Sequence, residues 1–201
     1  MGIIGTLPGE RLAGLFADLS HKLQKGAITL NELALFTQRK NPFASDFTVE
    51  VDYEESLRIM IGKGNYDWVN SDIAARDFPI ESEAEGGSLV QRPVFLRDYN
   101  RPMQLADVLT VMEEAGEEPA PIEDLLAFGA KYPDEQLKYQ IVALGSSTGE
   151  HDGRRVPYLS KNGTKRGLEL YRTARGWHGN FRFLVREKAY DPVTMGLHGP
   201  L

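Results

Sequence analysis

Apolar residues recur along this chain with two different periods, and the places where one gives way to the other limit what it can fold into. Leu12, Leu15, Phe16, Leu19 and Leu23 follow at helical spacing between Glu10 and Gln24, with Gly26 beyond them. Leu105, Val108, Leu109 and Met112 do the same ahead of Gly116. Residues at i, i+3, i+4 and i+7 share one face of a helix. Phe47, Val49, Val51 and Tyr53 instead alternate with Thr48, Glu50 and Asp52. Phe181, Phe183 and Val185 alternate with Arg182, Leu184 and Arg186. Period two belongs to a strand with one buried face. A chain carrying both periods in turn is α+β.

Turn and cap signals divide it. Thr29-Leu30-Asn31-Glu32 fits a capping box for a second helix that Asn41-Pro42 stops, so residues 1–43 read as a helical hairpin. Residues 44–188 read as the α+β domain and 189–201, which lack periodicity, as a flexible tail. Within the domain, a short helix is expected at Glu54–Ile61 and a polar linker at Ile80–Ser88. Leu89–Leu96 has strand character, and Pro93 argues for an edge position. Pro121 opens a helix whose buried face is Ile122, Leu125, Leu126 and Gly129, and Pro133 stops it. Ile141–Leu144 reads as a buried strand, Gly145–Asn162 as a loop with one apolar island at Val156–Leu159, and Leu168–Tyr171 as a strand.

The 201 residues include no cysteine, which excludes a disulfide framework, a thiolate metal site and a Cys nucleophile. Four histidines leave little for zinc, and neither metal nor cofactor is expected. No apolar run approaches the ~18 residues of a membrane span. Met1–Pro8 has neither a basic n-region nor an apolar h-region, so a cytoplasmic location is expected. Gly62-Lys63-Gly64 is too short for a phosphate loop, and neither Gly-x-Ser-x-Gly nor His-Glu-x-x-His occurs. Asp67, Asp72 and Asp77 lie five apart, which fits turns and caps rather than a calcium loop.

The net charge of −6 hides an asymmetry. Ala44–Gln136 holds 21 acidic and 7 basic residues, and Gly153–Lys188 holds 10 basic and 2 acidic. Either the two sets face each other inside one fold, or the basic part meets an acidic partner. Its cations, Arg154, Arg155, Lys161, Lys165, Arg166, Arg172 and Arg175, are interleaved with Tyr158, Tyr171 and Trp177. Trp177, in Gly176-Trp177-His178-Gly179, reads either as a rigid binding anchor or as the core Trp that closes the domain.

The order of elements from Leu105 to Arg186 resembles C-type-lectin-like domains, in the branch of formylglycine-generating enzymes and of the variable proteins of diversity-generating retroelements. Pro121-Ile122-Glu123-Asp124-Leu125-Leu126 looks like that branch's Pro-initiated helix, and Trp177 followed by Phe181-Arg182-Phe183-Leu184-Val185-Arg186 looks like its late Trp and closing strand. The resemblance covers residues 98–188. It implies a two-helix scaffold with a small, mostly antiparallel sheet and a loop surface, 145–180, that carries recognition. Formylglycine generation uses cysteines, absent here. Glu118-Pro119 is followed by Ala120 and Trp177 by His178, so a calcium sugar site is not implied. The chain is also similar to a group of proteins from small-genome bacteria that share Tyr66–Asn70, Leu125–Pro133 and Ile141–Ser146, a likeness that implies no activity.

These readings point to a non-enzymatic recognition protein. Arg154, Arg155, Tyr158, Arg172, Arg175, Trp177 and His178 are its ligand-facing set, and an unidentified protein or acidic ligand is its partner. Two alternatives stand beside it. One is a nucleic-acid-associated protein using the basic 153–188 face. The other is an enzyme in which His151, Asp152 and His178 share a pocket as acid/base or metal groups.

Overall fold

The computed structural model describes residues 9–25, 47–80, 89–99 and 101–187. The chain divides into two compact units, residues 1–44 and 45–201. In the first, α1 spans Gly9–Gln24, with an Asp18–Lys22 ion pair at 2.9 Å, four residues apart on its surface. The second helix expected before Pro42, the linker at 81–88 and the tail 189–201 lie outside the described residues. No helix among the described residues is long and apolar enough to cross a membrane.

The second unit is a mixed α+β fold. Its chain order is β1 (Phe47–Asp52), α2 (Leu57–Lys63), β2 (Trp68–Val69), β3 (Leu89–Arg97), α3 (Leu105–Glu114), β4 (Glu117–Pro119), α4 (Ile122–Lys131), α5 (Pro133–Lys138), β5 (Gln140–Val142), β6 (Arg155–Asn162), β7 (Lys165–Arg172) and β8 (Phe181–Glu187). The eight strands form one mixed sheet in the order β1-β3-β8-β5-β6-β7-β2, with β4 also on β8. β8 is the hub. One edge pairs antiparallel with β3; the other pairs parallel with β5 and, further along, antiparallel with β4.

Strand alternation builds two cores, one on each face of this sheet. Val49, Val94, Ile141, Leu159, Leu168 and Leu184 point to one face, against α2 and α4. Phe95, Val142, Val156, Phe183 and Val185 point to the other, against Val108 and Met112 of α3, Met103 and Trp177. The Phe-Arg-Phe-Leu-Val-Arg pattern of β8 therefore serves both cores.

Tyr66 locks the helix layer to the sheet. Its ring occupies a slot between two glycines: a Cβ on Gly64 would lie 2.2 Å from the ring, and one on Gly129 2.3 Å from the hydroxyl. The Arg166 guanidinium lies over the ring at 5.1 Å and donates to the carbonyls of Gly64 (2.8 Å) and Gly129 (2.5 Å) and to Gln136 Oε1 (3.1 Å). Gln136, fully buried, donates in turn to the carbonyls of Ser160 and Gly167. A planar, five-donor cation suits this site because it can satisfy several buried acceptors at once.

Several sequence expectations are revised. Gly145–Asn162 is not one loop: Arg155–Asn162 is a strand paired with β7 over eight residues. The two-residue turn is Gly163-Thr164, and Gly163 has φ +63, the conformation a type II′ turn requires at its first central position. Pro133 ends α4 and also starts α5, because proline disfavours helix for Tyr132 before it yet suits a first helical turn itself. The helix expected at Glu54 begins at Leu57. β3 is an interior strand, but its pairing with β8 covers only Phe95–Arg97, so Pro93 stands where β3 has one neighbour. Pro93 has no N–H, so its pair with Thr48 is a non-hydrogen-bonded one, and the N–H and C=O of Thr48 turn outward from β1. There the Tyr132 hydroxyl accepts the Thr48 N–H (3.1 Å) and donates to its carbonyl (2.9 Å), which Lys131 also reaches (2.6 Å).

Candidate functional site

The charge asymmetry resolves in part into internal pairing. Arg155 meets Asp72 at 2.7 Å, Arg182 meets Asp98 at 2.7 Å, and Arg186 meets Glu118. Lys161 caps α5, donating to the carbonyls of Leu137 (2.6 Å) and Lys138 (3.0 Å). Arg166 is held in the Tyr66 node. Among the described residues, Arg154, Lys165, Arg172 and Arg175 are exposed and make no ion pair.

Three of those four converge at the open end of the β6–β7 hairpin. Arg155 and Arg172 are opposed across the ladder, an arrangement of like charges that Asp72 relieves from the side. Short 3₁₀ turns, His151–Gly153 and Thr173–Arg175, flank the two strands here and touch each other. Buried Thr173 binds them together: its N–H (3.0 Å) and hydroxyl (3.3 Å) both donate to the Arg154 carbonyl. The arginines thus project from a braced frame, not from a slack loop.

Next to this end lies a stretch of sheet face lined by aromatic groups. Tyr158 and Tyr171 meet edge to face at 5.7 Å, and Tyr171 donates its hydroxyl to the Gly176 carbonyl at 2.7 Å. Ser160 donates to Glu169 at 2.6 Å, and Tyr158 also hydrogen-bonds that carboxylate. Burial first, then the neighbouring Glu169 charge, pushes the Tyr158 hydroxyl up to about 12, while Arg175 pulls it down. Burial raises Tyr171 too, again against Arg175. Arg175 is therefore close enough to both rings to act on them electrostatically.

A second concavity, of about 540 Å³, opens where the Asp77–Pro79 segment, the start of α4, Ser146-Ser147 and Arg186 meet. Pro121, at the N-cap of α4, offers no side-chain cap. Ser146 supplies one from another segment, accepting the Ile122 N–H at 2.9 Å. Gly145 must be glycine there, because a Cβ would lie 2.6 Å from the Pro119 carbonyl oxygen. Behind the cleft, buried Asp124 faces Arg92 at 3.6 Å and Arg186 at 3.9 Å.

The sequence-derived ligand set is therefore split. Arg154, Arg155, Arg172 and Arg175 are brought together, with Tyr158 half-buried beside them. His178 is exposed on the loop before β8. Trp177 is not ligand-facing. It is 1 % exposed, stacks near Tyr171 (6.0 Å) and meets Phe183 edge-on (5.4 Å), so it is the core residue that closes the domain. His151 and Asp152 are exposed, and neither they nor His178 line the cleft. No group of three metal-ligating side chains occurs among the described residues. Sequence reasoning missed Trp68, 62 % exposed on the outermost strand, and the cleft. Trp68 belongs to the strand Trp68–Val69, and two residues of strand are too few to reveal a period. No family model, no curated protein and no solved structure matches this chain.

Proposed function

We propose that this protein is a non-enzymatic recognition protein that binds an acidic ligand at the arginine-bearing end of the β6–β7 hairpin, on a C-type-lectin-like scaffold. The scaffold reading draws on the element order, two helices followed by strand, hairpin, Trp177 and closing strand, and on the antiparallel pairing of β3 with β8. The recognition reading draws chiefly on one observation: Arg154, Arg172 and Arg175 stand together, exposed and without ion pairs among the described residues, while the other arginines of this region, Arg155, Arg166, Arg182 and Arg186, are paired or engaged inside the fold. Such an arrangement serves an outside anion, and arginine forks favour carboxylate or phosphate groups.

Immobilised heparin, a generic polyanion, tests this. The wild-type chain should be retained and elute with rising salt. The Arg154→Glu/Arg172→Glu/Arg175→Glu variant should elute at markedly lower salt with an unchanged far-UV spectrum. Identical elution of the two would refute an anion site at this end.

A further inference from the structure

We propose that the acidic ligand is single-stranded nucleic acid, its bases lying on the aromatic strip between Trp68 and Tyr171 and its phosphates at the cationic ends of that strip. This rests on the basic-end reading above and names its ligand.

The strip follows from register. Trp68 pairs with Gly167 and Val69 with Leu168. Val69 and Leu168 both join the core under α4, so Trp68 points to the opposite face. Alternation puts Lys165, Glu169 and Tyr171 of β7 on that same face, with Tyr158 and Ser160 of β6 opposite Glu169 and Gly167. The helices that contact β6 and β7 are α4 and α5, which lie on the other side of the sheet. The Trp177 layer covers β3, β8 and β5 and runs on to Val156 and Tyr158 of β6 and Tyr171 of β7, whose rings it half-buries. Past those two rings no helix among the described residues lies on this face, which keeps Glu169 half-exposed, Lys165 exposed and Trp68 62 % exposed.

Its dimensions and charge suit one class of partner. From Lys165 to Tyr171 is six residue steps, about 20 Å of strand, the length of a few nucleotides. Lys165, exposed, marks one end; Arg175, acting on Tyr158 and Tyr171, marks the other, with Arg154 beyond it. Stacking on aromatic faces with cations along the backbone is how sequence-tolerant single-strand binding works. Glu169 sits mid-strip, held by Ser160 and Tyr158. It repels phosphates from the middle and offers an acceptor to base amino groups, which cytosine presents. An acidic polypeptide would be repelled by Glu169 and would make no use of Trp68.

The chain has two tryptophans, and Trp177 is buried, so quenching of intrinsic fluorescence reports on Trp68. The full chain is titrated with deoxycytidine and cytidine oligonucleotides of about 12 residues, and with poly-glutamate. Both oligonucleotides should quench, with affinity falling as salt rises; the tighter of the two identifies DNA or RNA as the source. Trp68→Ala should weaken binding about tenfold by fluorescence anisotropy, and Lys165→Glu should weaken it too. Neither Trp68→Ala nor its parent should differ in heparin elution. Oligonucleotide binding untouched by Trp68→Ala but lost in the triple arginine variant would overturn the strip and leave the basic-end reading standing. Binding of poly-glutamate without oligonucleotide would overturn it in favour of an acidic protein. Failure to bind heparin as well would remove both.

Discussion

Two tryptophans show how differently one residue type is used. Trp177 fills the core beneath Tyr171 and Phe183, and Trp68 stands in water at the end of the sheet. Trp177→Ala should cost about 3–5 kcal/mol, because the cavity adds to the lost burial, whereas Trp68→Ala should stay within about 0.5 kcal/mol. Urea denaturation followed by far-UV circular dichroism checks both. A small loss for Trp177→Ala would mean its site collapses or is wet. Sequence left Trp177 open between anchor and core, since a lone Trp in a Gly-flanked loop suits either. What decides it is Phe183, Met103 and Tyr171 arriving from elsewhere in the chain, and periodicity does not encode that meeting.

At the scale of elements, long periodic segments were legible and short ones were not. α3, the Pro121 helix and the alternation of β8 read directly from spacing. β6 did not, because Val156-Pro157-Tyr158-Leu159 looks like an island until its eight-residue ladder with β7 is seen. A signal was present in Gly163-Thr164, a Gly-X dipeptide of the II′ hairpin kind whose partner strand follows at once. Gly129 was read as part of a buried face, yet its reason is specific: it admits Tyr66. Gly129→Ala should destabilise by about 1–3 kcal/mol through overpacking, against the roughly 1 kcal/mol that alanine gains over glycine in a helix interior. A denaturation midpoint equal to or above wild type would show that Tyr66 moves aside easily.

For the whole molecule, the charge split that sequence left open between internal pairing and an outside partner turns out to contain both. Arg155, Arg182 and Arg186 answer the acidic middle of the chain, and Arg154, Arg172 and Arg175 remain for something else. Burial also shapes the response to alkali. Tyr99 and Tyr158 are pushed up to about 12, mainly by burial, and Tyr66 is raised further by the same cause. An unfolded tyrosine ionises near 10, so the folded state holds these protons longer. Their contribution is complete below pH ~10 and fades as pH climbs toward 12. Tyrosinate absorbance should therefore rise in two stages, with the later stage coinciding with loss of far-UV signal. A single smooth titration centred near pH ~10 with the fold retained would contradict that burial. Finally, the sheet does not invite extension. On its first border a phenol is seated on the peptide group of Thr48, and on its last only two residues, Trp68 and Val69, are laid down. Among the described residues this sheet therefore lacks the long bare selvedge along which β-sheets stitch into fibrils. Whatever docks on the sheet must come down flat upon it, not run alongside.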